Sequence, residues 1–324
     1  MKHRLSPGHL LALCSGLAWG ASNFINTIAL GRPPFSGASA WLVAPLAAAA
    51  LYECMRAFWQ IVYIAVARDW RQVVPFLRWE RGSWSALACA LVGGPFATGC
   101  FFLSIAFAGV TYGVAVSSIA PALGALVGLA LLKDRLRVMA WLGVFVSIAG
   151  AVISSYKPPE DAPRHFYLGV MFAILTAFGW AFEAYFAKRA MAHLSAPSVN
   201  LIRQVVSAAL MTAIVVPLLG GASVLHDAVT SPTMLVLVAA GAAGMVGYLL
   251  YFMSVKLIGP GLSMALNLTY VPWTALLAVV LLSEPMTWQL GVGVVVILAG
   301  ALLVVGGDRG AQERGEVQAP AESP

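Results

Sequence analysis

Four charged residues stand inside long apolar runs: Glu53, Arg56, Glu183 and Arg203. On insertion scales a charge in hydrocarbon costs roughly 2.5–3.5 kcal/mol, so each needs a partner, a water-filled cavity or a function. Glu53 and Arg56 are three positions apart, a spacing that puts them on one helix face where they can pair. At 1.5 Å per residue Glu183 lies about 24 Å along its run. That is the inner third of a bilayer, and Arg203 falls at a similar depth near the start of the next run. The matched depths predict a contact between two consecutive helices on the cytoplasmic side. Three readings of Glu183 and Arg203 stay open: a structural pair, a coupling or gating pair whose carboxylate carries a proton, or side chains that snorkel to the surface.

A second set is polar or aromatic. The run at 9–30 holds Trp19, Ser22, Asn23 and Asn26, and the run at 260–282 holds Asn267, Thr269, Tyr270, Pro272 and Trp273. Pro121 follows Ser117 and Ser118 in the same manner. A proline removes a backbone donor and opens a membrane helix, and such breaks at matched places in two halves point to a midplane site. Asn23 and Asn267 would face a substrate or bridge neighbouring helices. Trp19, Trp180, Tyr248, Tyr251 and Tyr270 would stack on an aromatic or cationic substrate, or pack the core. The expected substrate cavity is bounded by Trp19, Asn23, Trp180, Tyr251, Asn267 and Tyr270, with Tyr248 beside it. Glu183 and Arg203 are the expected coupling or gating residues.

Other chemistries lack their residues. No glycine-rich phosphate loop ending in Gly-Lys-Ser/Thr occurs, which argues against ATP-driven pumping by this chain. His3, His9, His165, His193 and His226 are scattered over run ends and loops. Cys14, Cys54, Cys89 and Cys100 lie inside apolar runs without metal-ligand spacing. No catalytic set, metal or cofactor is expected, and the chain is not expected to be an enzyme.

The elements that must position these residues are membrane helices. The 324 residues are 60% hydrophobic and 10% charged, and the mean hydropathy is +0.87. A soluble domain is about 25% charged. Ten runs approach the roughly 20 residues a bilayer requires: 9–30, 37–60, 84–107, 110–132, 138–156, 167–189, 198–220, 234–257, 260–282 and 287–306. The stretch from Arg68 to Trp84 reads as an interfacial helix or as a loop with belt aromatics. Residues 307–324 read as a disordered cytoplasmic tail. With both termini cytoplasmic, only Arg32, Lys157 and Arg164 among the loop Lys and Arg residues fall outside, which satisfies the positive-inside rule. The net charge of +6 is dispersed over loops and does not suggest nucleic-acid binding.

The chain also repeats itself. Ala125, Leu126, Leu131, Leu132, Asp134, Gly143, Ala149 and Gly150 return 150 residues later as Ala275, Leu276, Leu281, Leu282, Glu284, Gly293, Ala299 and Gly300. Phe102, Ser104 and Gly109 answer to Phe252, Ser254 and Gly259 in the same register. This is an internal duplication with five runs per copy. An odd number inverts the second copy relative to the first, an arrangement found in secondary transporters.

These features resemble the drug/metabolite transporter superfamily, EamA-type, over nearly the whole chain. The specific marks are Pro121 to Asp134 followed by Gly143 and Gly150, and Pro272 to Glu284 followed by Gly293 and Gly300. Trp19-Gly20 and Trp180-Ala181 are similar to the pattern in the first helix of each family unit. Asp134 stands where the family usually has Glu, and the second helix runs into a long Glu53–Arg81 segment. The resemblance implies an all-α integral membrane protein of ten helices in two inverted five-helix repeats, 9–156 and 167–306, around a central cavity.

The function expected is secondary, non-ATP transport of a small metabolite by alternating access, in export or exchange, in the cell inner membrane. A lipid-modifying membrane enzyme and a non-transporting assembly or regulatory subunit are the rival readings. The expected partners are a small-molecule substrate and the lipid bilayer. A proton or another ion is the candidate for coupling, and a homodimer is the candidate assembly.

Overall fold

A computed structural model describes residues 6–36, 42–74, 78–79, 81–132, 137–155, 165–282 and 288–312. Among them every regular element is helical. The principal helices are α1 (Pro7–Leu30), α2 (Val43–Ala67), α3 (Ser83–Leu91), α4 (Gly99–Ser117), α5 (Ala120–Val127), α6 (Val138–Ser155) and α7 (Phe166–Ala190). They continue as α8 (Ala196–Leu210), α9 (Val216–Leu218), α10 (Ala222–Thr230), α11 (Thr233–Ile258), α12 (Pro260–Asn267), α13 (Tyr270–Leu282) and α14 (Trp288–Gln312). Among the described residues five stretches are long and apolar enough to cross a membrane: Ser83–Gly109, Phe166–Ala190, Ala196–Leu218, Thr233–Ile258 and Pro260–Leu281. Shorter apolar helices occupy Ala120–Leu132, Val138–Ile153 and Gly291–Val304.

Packing repeats across the two halves. Helix α1 lies on α11 and α13, and its counterpart α7 lies on α4 and α5. Helix α2 lies on α11, and its counterpart α8 lies on α3. Two pairs are self-matched: α2 with α8, and α6 with α14. The last pair is a seam of small residues. A Cβ on Gly143 would sit 2.7 Å from the Gly300 carbonyl oxygen, and one on Gly150 would sit 2.8 Å from that of Gly293. Close backbone approach of this kind is how helices associate where lipid removes the hydrophobic drive.

The duplication is also present in the backbone. Gly109 has φ 83° and ψ 157°, and Gly259, 150 residues on, has φ 81° and ψ 166°. A side chain is strained at such angles, so each glycine turns the chain sharply from one apolar helix into the next. Both following helices then break again, at Ser118–Ile119 and at Leu268–Thr269. The prolines do not make these breaks. Pro121 and Pro272 fall in the first turns of α5 and α13, where the missing N–H has no intrahelical partner to lose.

Three differences from the sequence expectation are local. The Arg68–Trp84 stretch contains a 3₁₀ turn at Trp70–Gln72, and its described residues do not form one helix. Helix α10 is an addition between the seventh and eighth apolar runs. Helix α14 runs through Asp308 to Gln312. The turn positions Asp134 and Glu284, residues 156–164 and residues 313–324 lie outside the described residues.

Candidate functional site

Helices α2, α7 and α8 bring all four buried charges together. Arg203 is the hub. Its Nε donates to Glu183 Oε1 at 2.6 Å, and its Nη1 donates to Glu53 Oε1 at 2.7 Å and Oε2 at 2.6 Å. Its Nη2 donates to the Gly93 carbonyl at 2.8 Å, to Thr98 Oγ1 at 3.2 Å and to Tyr248 Oη at 3.0 Å. Arg56, one turn along α2 from Glu53, pairs with Glu53 Oε1. All four side chains are at most 2% exposed. Two acids and two bases cancel in charge, as burial demands. The contact expected between Glu183 and Arg203 is present, but it is one edge of a larger cluster.

Local sequence makes room for the cluster. Between α3 and α4 the helix widens to π-type turns over Val92–Thr98, with Pro95 inside. Proline supplies no N–H there, so an upstream carbonyl is released and the turn opens. The Ala90 carbonyl, five residues before Pro95, accepts from Ser207 Oγ, and within the widened turn the Gly93 carbonyl accepts from Thr98 Oγ1 and from Arg203. Gly93 is also a spatial requirement, because a Cβ there would strike the Glu183 carboxylate.

Beside the charges lies an aromatic wall. The Trp19 ring centre is 6.0 Å from Trp180, 4.9 Å from Tyr248, 5.6 Å from Tyr251 and 6.1 Å from Tyr270. Trp180 is 5.0 Å from Phe101. Trp19, Trp180 and Tyr270 form a wall shared by two cavities. The larger, about 600 Å³ with its open mouth included, reaches Asn23, Tyr248, Arg56 and Thr98. The smaller, about 350 Å³ counted the same way, reaches Tyr251, Asn267, Glu183 and Ser117. The cluster therefore touches one cavity through Arg56 and the other through Glu183.

Trp19, Asn23, Trp180, Tyr248, Tyr251, Asn267 and Tyr270 each line at least one of these cavities, although a single cavity was expected, whereas Trp273 lines neither and is exposed. Asn23 faces only the larger, and Tyr251 and Asn267 only the smaller. Asn267 also bridges helices: its Nδ2 donates to Ser15 Oγ at 2.7 Å, which in turn donates to the Gly247 carbonyl at 2.8 Å. Arg203 contributes to neither lining and acts as the cluster's centre. Sequence reasoning did not place Arg56, Tyr52, Thr98 or Phe101 at the site. One signal was available, since Glu53 and Arg203 stand 150 positions apart, as do Thr98 and Tyr248. The duplication offset thus pairs opposite charges across the two halves.

A model of the EamA-like transporter family matches residues 6–156 and matches again at 167–306. The chain belongs to the EamA-like transporter family. It carries two copies of that family's unit, and as a member it is a multi-pass membrane protein of the drug/metabolite transporter superfamily. This EamA-like chain is 24% identical over 222 residues to Protein LicB of Haemophilus influenzae, a match covering 66% of this chain and 75% of LicB. A solved crystal structure at 19% identity has the same fold, with a TM-score of 0.69 over 94% of this chain and 99% of its own.

Proposed function

We propose that this EamA-like protein is a secondary transporter that moves a small metabolite by alternating access, in export or exchange. The observation that carries the reading is the pair of cavities divided by Trp19, Trp180 and Tyr270. A carrier needs a central site that can open to either side in turn, and related halves that exchange roles supply one. Two repeats of five spans each, inverted about an axis in the membrane plane, fit the packing pairs described above. The matched turns at Gly109 and Gly259 give each half the same place at which its helices can tilt. Both termini are cytoplasmic in this reading, the membrane is the inner one, and residues beyond the last span form a tail.

The charge cluster then acts as coupling or gating machinery. Arg203 ties Glu53 of the first repeat to Glu183 and Tyr248 of the second. A proton or another ion that loosened one of these bonds would bias the two halves. Trp19, Asn23, Trp180, Tyr248, Tyr251, Asn267 and Tyr270 form the substrate surface, and a homodimer is the assembly we favour.

Reconstitution provides the test. Vesicles loaded with a broad metabolite mixture, with and without a pH gradient, are sampled over time by mass spectrometry. Protein-dependent movement of a small set of compounds without ATP is the expected result. Identical time courses in protein-free vesicles would remove the proposal.

A further inference from the structure

We propose that the larger cavity takes a small organic monocarboxylate whose acid group is bound by Arg56. The inference rests on the transporter reading above. The charge cluster is neutral in sum but uneven in its bonds. Arg203 holds Glu183 through Nε and both oxygens of Glu53 through Nη1, and its Nη2 is filled by Gly93, Thr98 and Tyr248. Arg56 is left with an ion pair to Glu53 Oε1, an oxygen that Arg203 already occupies.

Nη2 of Arg56 is the atom that meets Glu53 Oε1, and Nε makes no hydrogen bond, although the residue is only 1% exposed. A guanidinium presents five donors in a fixed fork. Donors that are buried and unmade are costly and uncommon in native proteins, so they call for an acceptor. The Tyr52 and Tyr248 rings each lie 4.4 Å from the Arg56 guanidinium carbon. They hold the group in place and supply no acceptor for Nε. Arg56 lines the larger cavity, and an entering carboxylate matches the fork of a guanidinium.

A second unmet group lines the same cavity. Asn26 is 6% exposed and its Oδ1 has no hydrogen-bond partner. A ligand that satisfies both groups carries an anionic acceptor and a neutral or cationic donor. Phe101, Phe102, Ile105 and Leu30 supply apolar wall between them, which suits a compact aromatic or aliphatic body. Arg56 is one of the two cations that bring the cluster to zero, so a bound monoanion adds a single negative charge. A dianion would add two, and the cost of burying charge in low dielectric rises with its size.

The test is binding to the purified full-length protein in nanodiscs, by titration calorimetry. The probes are 4-hydroxyphenylacetate, its amide and tyramine, which differ at the acid end while sharing the ring and hydroxyl. The acid is expected to bind, with the amide weaker by about tenfold or more because a charge-assisted bond is lost. Tyramine should bind more weakly still. Arg56→Gln should bring the acid down to the level of the amide, and Arg56→Lys should keep part of the difference. Phenylacetate, a fourth probe that lacks the hydroxyl, should bind more weakly than 4-hydroxyphenylacetate, and Asn26→Ala should erase that difference. Should Arg56→Gln fold poorly, Glu53→Gln with Arg56→Gln removes the pair together and should show the same levelling of acid and amide.

Absence of acid binding, tyramine binding as tightly as the acid, or an acid-to-amide ratio that Arg56→Gln leaves unchanged would overturn the proposal. Flux of a cation without acid binding removes this site and leaves the transporter reading standing. Acid binding with no flux in vesicles does the reverse.

Discussion

Gly109 and Gly259 turn the backbone alike in the two repeats, at φ 83° and φ 81°, while the side chains around the cavities differ between the same two repeats. Thr98 answers to Tyr248, Phe101 to Tyr251, Ala120 to Tyr270 and Glu53 to Arg203, each 150 positions apart. The glycines and the helix breaks that follow them are shared. The groups that hold charge and line the cavities are divided, with tyrosines concentrated in the second repeat. In the proposed carrier, similar backbones would let the two halves trade places, and dissimilar side chains would let one site recognise one asymmetric molecule. Trp19 and Trp180 are the exception in the lining, since both repeats keep the indole where the cavities meet.

The widest difference between the repeats is charge, so removing Arg203 is the strongest way to break the comparison. Arg203→Met leaves two carboxylates beside one guanidinium and should cost about 3–5 kcal/mol, the usual result of stranding a buried charge. Thermal unfolding in detergent reads it. Adding Glu183→Gln should return much of that stability, because the remaining Glu53 and Arg56 balance each other. A double variant as unstable as the single one would mean that Arg203 acts through packing alone.

Position 93 distinguishes the repeats next. The second repeat has Ala243 where the first has Gly93. Gly93→Ala should nonetheless be costly, about 3 kcal/mol, since the Glu183 carboxylate it meets is pinned by Arg203 and cannot swing aside. Equal stability of the variant would show that the cluster has slack. Tyr248→Phe keeps the ring that Trp19 and both arginines touch and deletes only the hydroxyl. Losing a hydrogen bond to a charged group should cost about 1.5 kcal/mol. The smallest effect is expected for Asn267→Ala, about 0.6 kcal/mol for one interhelical bond to Ser15. Protein abundance should stay near normal, and a fall in transport beyond a fall in abundance would assign Asn267 to the substrate rather than to packing.

Much of the fold was legible because lipid leaves few options. Apolar runs long enough to span must be helices that satisfy their own backbone groups, and the repeat offset identifies their partners. The contact between Glu183 and Arg203 followed from depth alone. Periodicity gave the pairing of Arg56 with Glu53, but it could not give the azimuth that turns Arg56 to a cavity. The π-type turns at Val92–Thr98 were equally hidden. Gly93, Gly94 and Pro95 announce a weak helix there, but the carbonyl that Arg203 uses depends on how the turn resolves in space. The division of the expected cavity was also beyond sequence, since it rests on how Trp19, Trp180 and Tyr270 pack.

Alternating access across that shared wall is tested most directly by the accessibility of two introduced cysteines in a background lacking Cys14, Cys54, Cys89 and Cys100. Thr27→Cys reports on the larger cavity and Met264→Cys on the smaller. In sealed vesicles, a membrane-impermeant maleimide should label position 27 from one face only and position 264 from the opposite face only. A bulky adduct at position 27 should also slow labelling at position 264, because one conformation is then trapped. Labelling of both positions from the same face, or rates at position 264 that ignore the adduct, would contradict the account.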